Sequence, residues 1–177
     1  MEQPFSIALI GFRTTGKSVT GRILAHELGL TFVDMDEQLT ESFGESIEAW
    51  VRKHGWRAFR EAESKLLEKL SRKTHTVVAT GGGIILSPVN REVLRRCFFV
   101  VWLEASPETI QLRMTHDPQT SANRPPLTEL PMKEEIESML RERTALYEES
   151  CDLRMLTEGL SPGEVAARII TFLGGKK

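Results

Sequence analysis

The residues best suited to chemistry begin at Gly11-Phe12-Arg13-Thr14-Thr15-Gly16-Lys17-Ser18, which fits the spacing G-x-x-x-x-G-K-[ST]. Glycines at both ends let the backbone turn tightly and bring its amides close to phosphate oxygens, forming an anion nest at a helix N-terminus. A lysine at the seventh position reaches the outer phosphates of a nucleoside triphosphate, and the hydroxyl after it can ligate Mg²⁺. The competing reading is an ordinary glycine-containing turn between a strand and a helix. It is disfavoured because an apolar run precedes the motif and a helical pattern follows it, as a phosphate-binding loop requires.

Two carboxylates come next, Asp34 and Asp36 in Phe32-Val33-Asp34-Met35-Asp36. Residues i and i+2 of an extended segment point to one side, so both acids can face the mouth of the loop. One could hold Mg²⁺ and the other accept a substrate hydroxyl or its proton. As an alternative, the pair caps the following helix, a role Asp fills well.

Charges also interrupt two apolar helical stripes. Arg60 and Glu63 lie among Trp56, Phe59, Leu66, Leu67 and Leu70, and Arg143 lies among Ile136, Met139, Leu140, Leu146 and Tyr147. A charge on a buried face needs a partner. Either an internal ion pair such as Arg60–Glu63 or a two-point grip on a ligand carboxylate would supply it. Gly81-Gly82-Gly83 follows an apolar run and would let backbone amides approach a ligand, although glycine is equally the default turn residue. A proline-rich stretch carries Arg124-Pro125-Pro126, with Arg113 in the helix before it. An arginine on a closing lid could reach phosphates, or it could be a solvated loop charge. The histidines, His26, His54, His75 and His116, have no metal-ligand spacing and read as surface or capping residues.

The elements that must position these groups are short apolar runs separated by amphipathic stretches. The runs are Ser6–Ile10, Leu30–Val33, Thr76–Ala79, Phe98–Leu103 and, more weakly, Leu153–Leu156. Continuous apolar strands alternating with helices indicate a parallel sheet covered on both faces. Helices are expected from Lys17 to Leu28, from Ser46 to about Lys53 with a stop at Gly55, and after Ser106-Pro107-Glu108. Trp50, Trp56, Trp102, Cys97 and Cys151 read as core. Thr115–Pro131 has the length and composition of a lid or binding loop.

A chain of 177 residues fits one domain. Net charge −2 and pI near 6.1 argue against a dedicated nucleic-acid or anionic-membrane binder. The longest apolar run, Phe98–Leu103, is too short for a membrane span. Two cysteines make no disulfide framework, so a reducing cytoplasm is the expected compartment. With no apolar stripe to spare, a monomer is expected.

Together these residues resemble the shikimate kinases, small P-loop enzymes related in fold to nucleoside monophosphate kinases. The resemblance runs from about Ile7 to Ile170. In order it rests on the P-loop, the Asp-x-Asp pair, Phe59-Arg60 with a Glu soon after, the triple glycine, the Arg-Pro of the lid and Arg143-x-x-Leu146-Tyr147. It implies a single α/β domain over 1–177: a three-layer α/β/α sandwich with a five-stranded parallel sheet of order 2-3-1-4-5. Its substrate-binding region would span about 34–63 and its lid about 113–131.

The implied activity is transfer of the ATP γ-phosphoryl group to the 3-hydroxyl of shikimate, giving 3-phosphoshikimate and ADP, with Mg²⁺ as cofactor. Carried over by position, Gly11, Thr14, Thr15, Gly16, Lys17, Ser18, Val19, Arg113 and Arg124 would contact ATP. Ser18 and Asp34 would serve the metal. Asp36, Arg60, Gly81, Gly82, Gly83 and Arg143 would bind shikimate, with the two arginines on its carboxylate and Glu63 positioning Arg60. Lys17, Asp36 and Arg124 would be the catalytic groups. The chain departs from the family at Val19, where Thr is frequent, in the unusual P-loop interior Phe12-Arg13-Thr14-Thr15, and at Thr157–Pro162, which lacks a basic residue some relatives carry beside the adenine. The rival readings are a kinase for another small metabolite, of gluconate or nucleotide type, and a non-catalytic nucleotide-binding regulator. The regulator should lack one of Lys17, Asp34 or Asp36; all three are present.

Overall fold

A computed structural model of the chain describes residues 5–116 and 131–175. Its strands are β1 (Ile7–Ile10), β2 (Thr31–Asp34), β3 (Thr76–Ala79), β4 (Phe99–Glu104) and β5 (Leu153–Leu156). All adjacent pairs are parallel and the order is β2-β3-β1-β4-β5. Each strand lies within one residue of its expected limits. The helices among the described residues are α1 (Lys17–Leu28), α2 (Met35–Phe43), α3 (Ile47–Ser71), α4 (Pro88–Cys97), α5 (Pro107–His116), α6 (Met132–Ser150) and α7 (Pro162–Gly174), with a 3₁₀ turn at Ile84–Leu86.

The three layers follow from strand alternation. In β1, Ala8 and Ile10 face a core completed by Leu67 and Leu70 of α3, Leu94 of α4 and Tyr147 of α6. Ile7 and Leu9 face the other way, against Leu24 and Ala25 of α1 and Val165, Ala166 and Ile169 of α7. Two smaller clusters stand beside the sheet at the ends of its strands. One joins Phe12 to α5 and α6 through Ile110, Met114, Ile136 and Met139. The other joins α2 to α3 through Leu39, Ile47, Val51 and Phe59.

Three details differ from expectation. Gly55 does break the helix (φ 81°, ψ 163°), but the chain turns helical again at once, so α3 is one kinked element reaching Ser71. Of the tryptophans only Trp102 is core; Trp50 is half-buried and stacks on Phe43 at 4.2 Å, and Trp56 is half-buried with its edge to Phe59. Helical spacing places those two rings on the correct face but does not reveal that this face borders a cleft. Cys97 and Cys151 are likewise half-buried, at the margin of the α3–α4–α6 core. All four histidines are exposed.

Candidate active site

Ligands of parallel α/β sheets bind beyond the carboxyl ends of the strands, where the chain order reverses. Here that point is β1, flanked by β3 and β4. The loops leaving β1, β2 and β3 carry the P-loop, the two aspartates and the three glycines.

The P-loop starts at Gly11, whose φ of 141° and close packing on the Leu103 carbonyl exclude a side chain. It ends at Gly16 (φ 91°), which gives α1 no side-chain cap, and the first turn of α1 has no acid. The first amides of α1 are therefore left for an anion. Thr14 holds a left-handed φ of 61°, and the buried Thr15 hydroxyl donates to the Phe12 carbonyl at 2.8 Å. Lys17 is buried, its Nζ donating to the carbonyls of Gly11 (2.9 Å) and Phe12 (2.6 Å). The lysine thus braces the loop from inside and stands where phosphate oxygens would exchange with those carbonyls. Val19 is exposed on α1.

Ser18 and Asp34 meet: the hydroxyl donates to Oδ2 at 2.5 Å. The other oxygen, Oδ1, caps α2 by accepting from the amides of Asp36 and Glu37. Asp34 therefore caps α2, the alternative reading, and its second oxygen lies beside the P-loop hydroxyl.

Across the mouth lies a cleft. Asp36, Arg60, Gly81, Gly82, Gly83 and Arg143 all border it, with Trp56, Phe59 and Met139 as its apolar walls. Every expected acceptor-site residue is thus brought to one place. Arg60 donates from Nη1 to Glu63 Oε2 at 2.6 Å and lies over the rings of Trp56 and Phe59. Glu63 is fully buried and its Oε1 has no hydrogen-bond partner among the described residues. Burial pushes its carboxyl above the ordinary value of 4.5, against the pull of Arg60. Close packing also explains the glycines: a Cβ at Gly83 would strike the Arg60 guanidinium, and one at Gly81 the Glu63 carboxylate. Arg143 donates from Nη1 to the Gly82 carbonyl at 3.3 Å, while its Nε finds no partner among the described residues. Burial, together with the neighbouring guanidiniums of Arg60 and Arg13, lowers its pKa. An apolar-walled cleft with clustered guanidiniums is suited to a small anionic ring that also offers hydroxyls to Asp36.

Sequence reading passed over two features. Arg13, inside the P-loop, donates to Glu135 of α6 at 2.5 Å in a buried ion pair spanning 122 positions. A charge inside the loop was its only sequence signal, and Glu135 sits in the first turn of α6, where an acid is ordinary. Phe12 stood out only as part of an unusual loop interior: its ring packs beneath the site between α5 and α6, with Arg143 5.8 Å above it. Arg113 reaches the P-loop, donating to the Thr14 carbonyl (3.3 Å) and to Thr157 Oγ1 and carbonyl (3.2 Å each). It therefore ties the phosphate loop to the turn after β5. Arg124 and residues 117–130 of the expected lid lie outside the described residues.

The family profile described as shikimate kinase matches residues 13–174. The chain belongs to the shikimate kinase family. A shikimate kinase of Enterococcus faecalis is 38% identical over 168 residues, covering 95% of this chain and 98% of its own. Among solved structures, the shikimate kinase from Acinetobacter baumannii in complex with shikimate is similar at TM-score 0.92 and 31% identity, over 99% of this chain and 96% of that one. The Aquifex aeolicus shikimate kinase is similar at TM-score 0.80 and 30% identity, over 97% and 98%. The five-stranded order 2-3-1-4-5 read from the resemblance is the observed order. No helix among the described residues is long and apolar enough to cross a membrane.

Proposed function

We propose that the chain transfers the γ-phosphoryl group of ATP to the 3-hydroxyl of shikimate, giving 3-phosphoshikimate and ADP for aromatic amino acid synthesis. The observation that carries this is the acceptor cleft, where Arg60, Arg143 and Asp36 line one space together with Phe12 and Arg13 of an intact P-loop.

Arg60 and Arg143 grip the ring carboxylate, with the Gly82 and Gly83 amides beside them. This fixes the ring so that its 3-hydroxyl meets Asp36. The hydroxyl oxygen attacks the γ-phosphorus as the bond to the ADP oxygen breaks, and the hydroxyl proton passes to Asp36. Lys17 leaves the loop carbonyls for the phosphates and neutralises charge developing on the transferred group. Arg113 holds the loop beside the nucleotide, with Thr14, Thr15 and Val19 along its path and Arg124 as the lid arginine. Most of the acceleration comes from positioning and fixed charge, since phosphoryl transfer needs little covalent help.

The donor set fits Mg²⁺. No group of three or more His, Cys, Asp or Glu among the described residues could cage a metal, whereas one hydroxyl and one carboxylate in contact suit an ion whose other ligands are phosphates and water. Ser18 and Asp34 would hold it. When bound, Mg²⁺ would supply neutralising charge for the phosphates. The protein works as a single cytoplasmic domain and a monomer, with substrate-binding region 34–63 and a lid over 113–131.

The test is ADP release from the purified chain with ATP and Mg²⁺, offered shikimate, gluconate or AMP. Turnover with shikimate alone, lost in Asp36→Asn, is the expected result. Turnover with gluconate or AMP instead would reassign the cleft, and nucleotide binding without turnover on any acceptor would favour the regulatory reading.

A further inference from the structure

Tyr147 is the only tyrosine of the chain and is completely buried. Its ring lies against Trp102, centroids 5.6 Å apart and 18° from parallel. A phenylalanine would fill that place. What the hydroxyl adds is a hydrogen bond donated at 2.5 Å to the carbonyl of Gly82, the middle glycine of the acceptor loop, and a place beside the Arg143 guanidinium.

That carbonyl is shared. Arg143, one helical turn earlier on α6, donates to it from Nη1 at 3.3 Å. Among the described residues Arg143 has no carboxylate within ion-pair distance, whereas Arg13 has Glu135 and Arg60 has Glu63. Both of those guanidiniums repel it. The Arg143 guanidinium is therefore held at the cleft wall by the Gly82 carbonyl and the Tyr147 hydroxyl above the Phe12 ring, and Tyr147 in turn holds the carbonyl. The other side of Gly82 leans on the P-loop, its Cβ position 3.4 Å from both the Arg13 amide and the Gly11 carbonyl. One peptide thus sits between α6 and the phosphate loop.

We infer that Tyr147 is a positioning residue for the acceptor substrate, fixing the Gly82 peptide and through it the Arg143 guanidinium relative to the P-loop. Burial raises the phenol pKa to about 12, so the group stays a neutral donor throughout the working range. The inference rests on the reading of this cleft as the acceptor site.

Tyr147→Phe keeps the ring stack and removes only the hydroxyl. The expected result is a rise in shikimate KM of about 5- to 20-fold with ATP KM within twofold, as loss of one hydrogen bond to a charged-group network allows. In an Arg143→Ala background the same change should cost clearly less than in the wild type, because the route through the guanidinium is already cut. An unchanged shikimate KM, equal rises in both KM values, or an undiminished cost in the Arg143→Ala background would each overturn the inference. A second measurement needs no substitution. Because Tyr147 is unique, 3-fluorotyrosine incorporation reports on it alone. Its ¹⁹F resonance should move on saturation with shikimate, and an unmoved resonance counts against the inference. If the wild-type chain turns over a different acceptor, the shikimate reading fails, and the same KM split on that acceptor still decides the role of Tyr147.

Discussion

The phosphate end and the acceptor cleft open on the same mouth and are built in opposite ways. The phosphate end comes from one stretch, Gly11–Ser18, and works through backbone: two glycines with positive φ, uncapped amides of α1 and a lysine braced on loop carbonyls. The acceptor cleft is gathered from α2, α3, the loop after β3 and α6, and works through side chains whose charges are buried and largely compensated. A backbone-built anion site tolerates any nucleoside triphosphate with its phosphates in place. A side-chain site built around paired charges discriminates, because a ligand lacking the matching anion leaves buried donors unsatisfied. On the proposed function, substrate identity therefore resides in the cleft.

The largest effect that separates the two regions is expected from Lys17→Met. It removes the brace of the loop and the cation for the transferred group together, so kcat should fall by at least about 10³-fold. Nucleotide affinity should fall with it, while shikimate binding in the absence of nucleotide, read by calorimetry, should survive. Loss of both would mean that the regions are not separable.

Next come Arg60→Ala and Arg143→Ala. Each removes a charged donor pair worth about 2 kcal/mol, or roughly 30-fold in shikimate KM, and ATP KM should change little. Arg113→Ala should show the reverse pattern, since its partners Thr14 and Thr157 lie on the nucleotide side. Steady-state kinetics with each substrate varied in turn reads both.

The smallest effect is the pH dependence set by Glu63. Its folded pKa lies above the ordinary carboxylate value of 4.5 because of burial. Its contribution to stability is therefore complete below that value and is lost as pH rises through the folded pKa. Glu63→Gln cannot ionise, so its denaturant midpoint should gain on the wild type as pH rises from 4.5 toward neutrality. Its shikimate KM should rise a few-fold because Arg60 loses its charged partner.

The difference between the regions also explains what the sequence made legible. A local, backbone-built site leaves a contiguous signature, so the P-loop could be read directly, as could the strands and their order once the resemblance was drawn, whereas the capping role of Asp34 stood only as the alternative to a metal or proton role. A site assembled from distant elements leaves only charges in apolar stripes. Arg60 and Glu63 were ambiguous from spacing because they are both an ion pair and a cleft wall. The Arg13–Glu135 pair stayed hidden because neither partner's neighbourhood mentions the other. Tyr147 was hidden because a buried aromatic in a helical stripe is ordinarily core, and only the distance to Gly82 distinguishes it.

The claim that substrate identity resides in the charged cleft is tested most directly by comparing shikimate with its methyl ester, which keeps every ring hydroxyl and removes the negative charge. In the wild type, kcat/KM for the ester should be lower by at least about 30-fold through KM, and in Arg60→Ala and Arg143→Ala the preference should shrink. Equal kcat/KM values for acid and ester in the wild type would contradict the carboxylate grip and, with it, the assignment of the cleft.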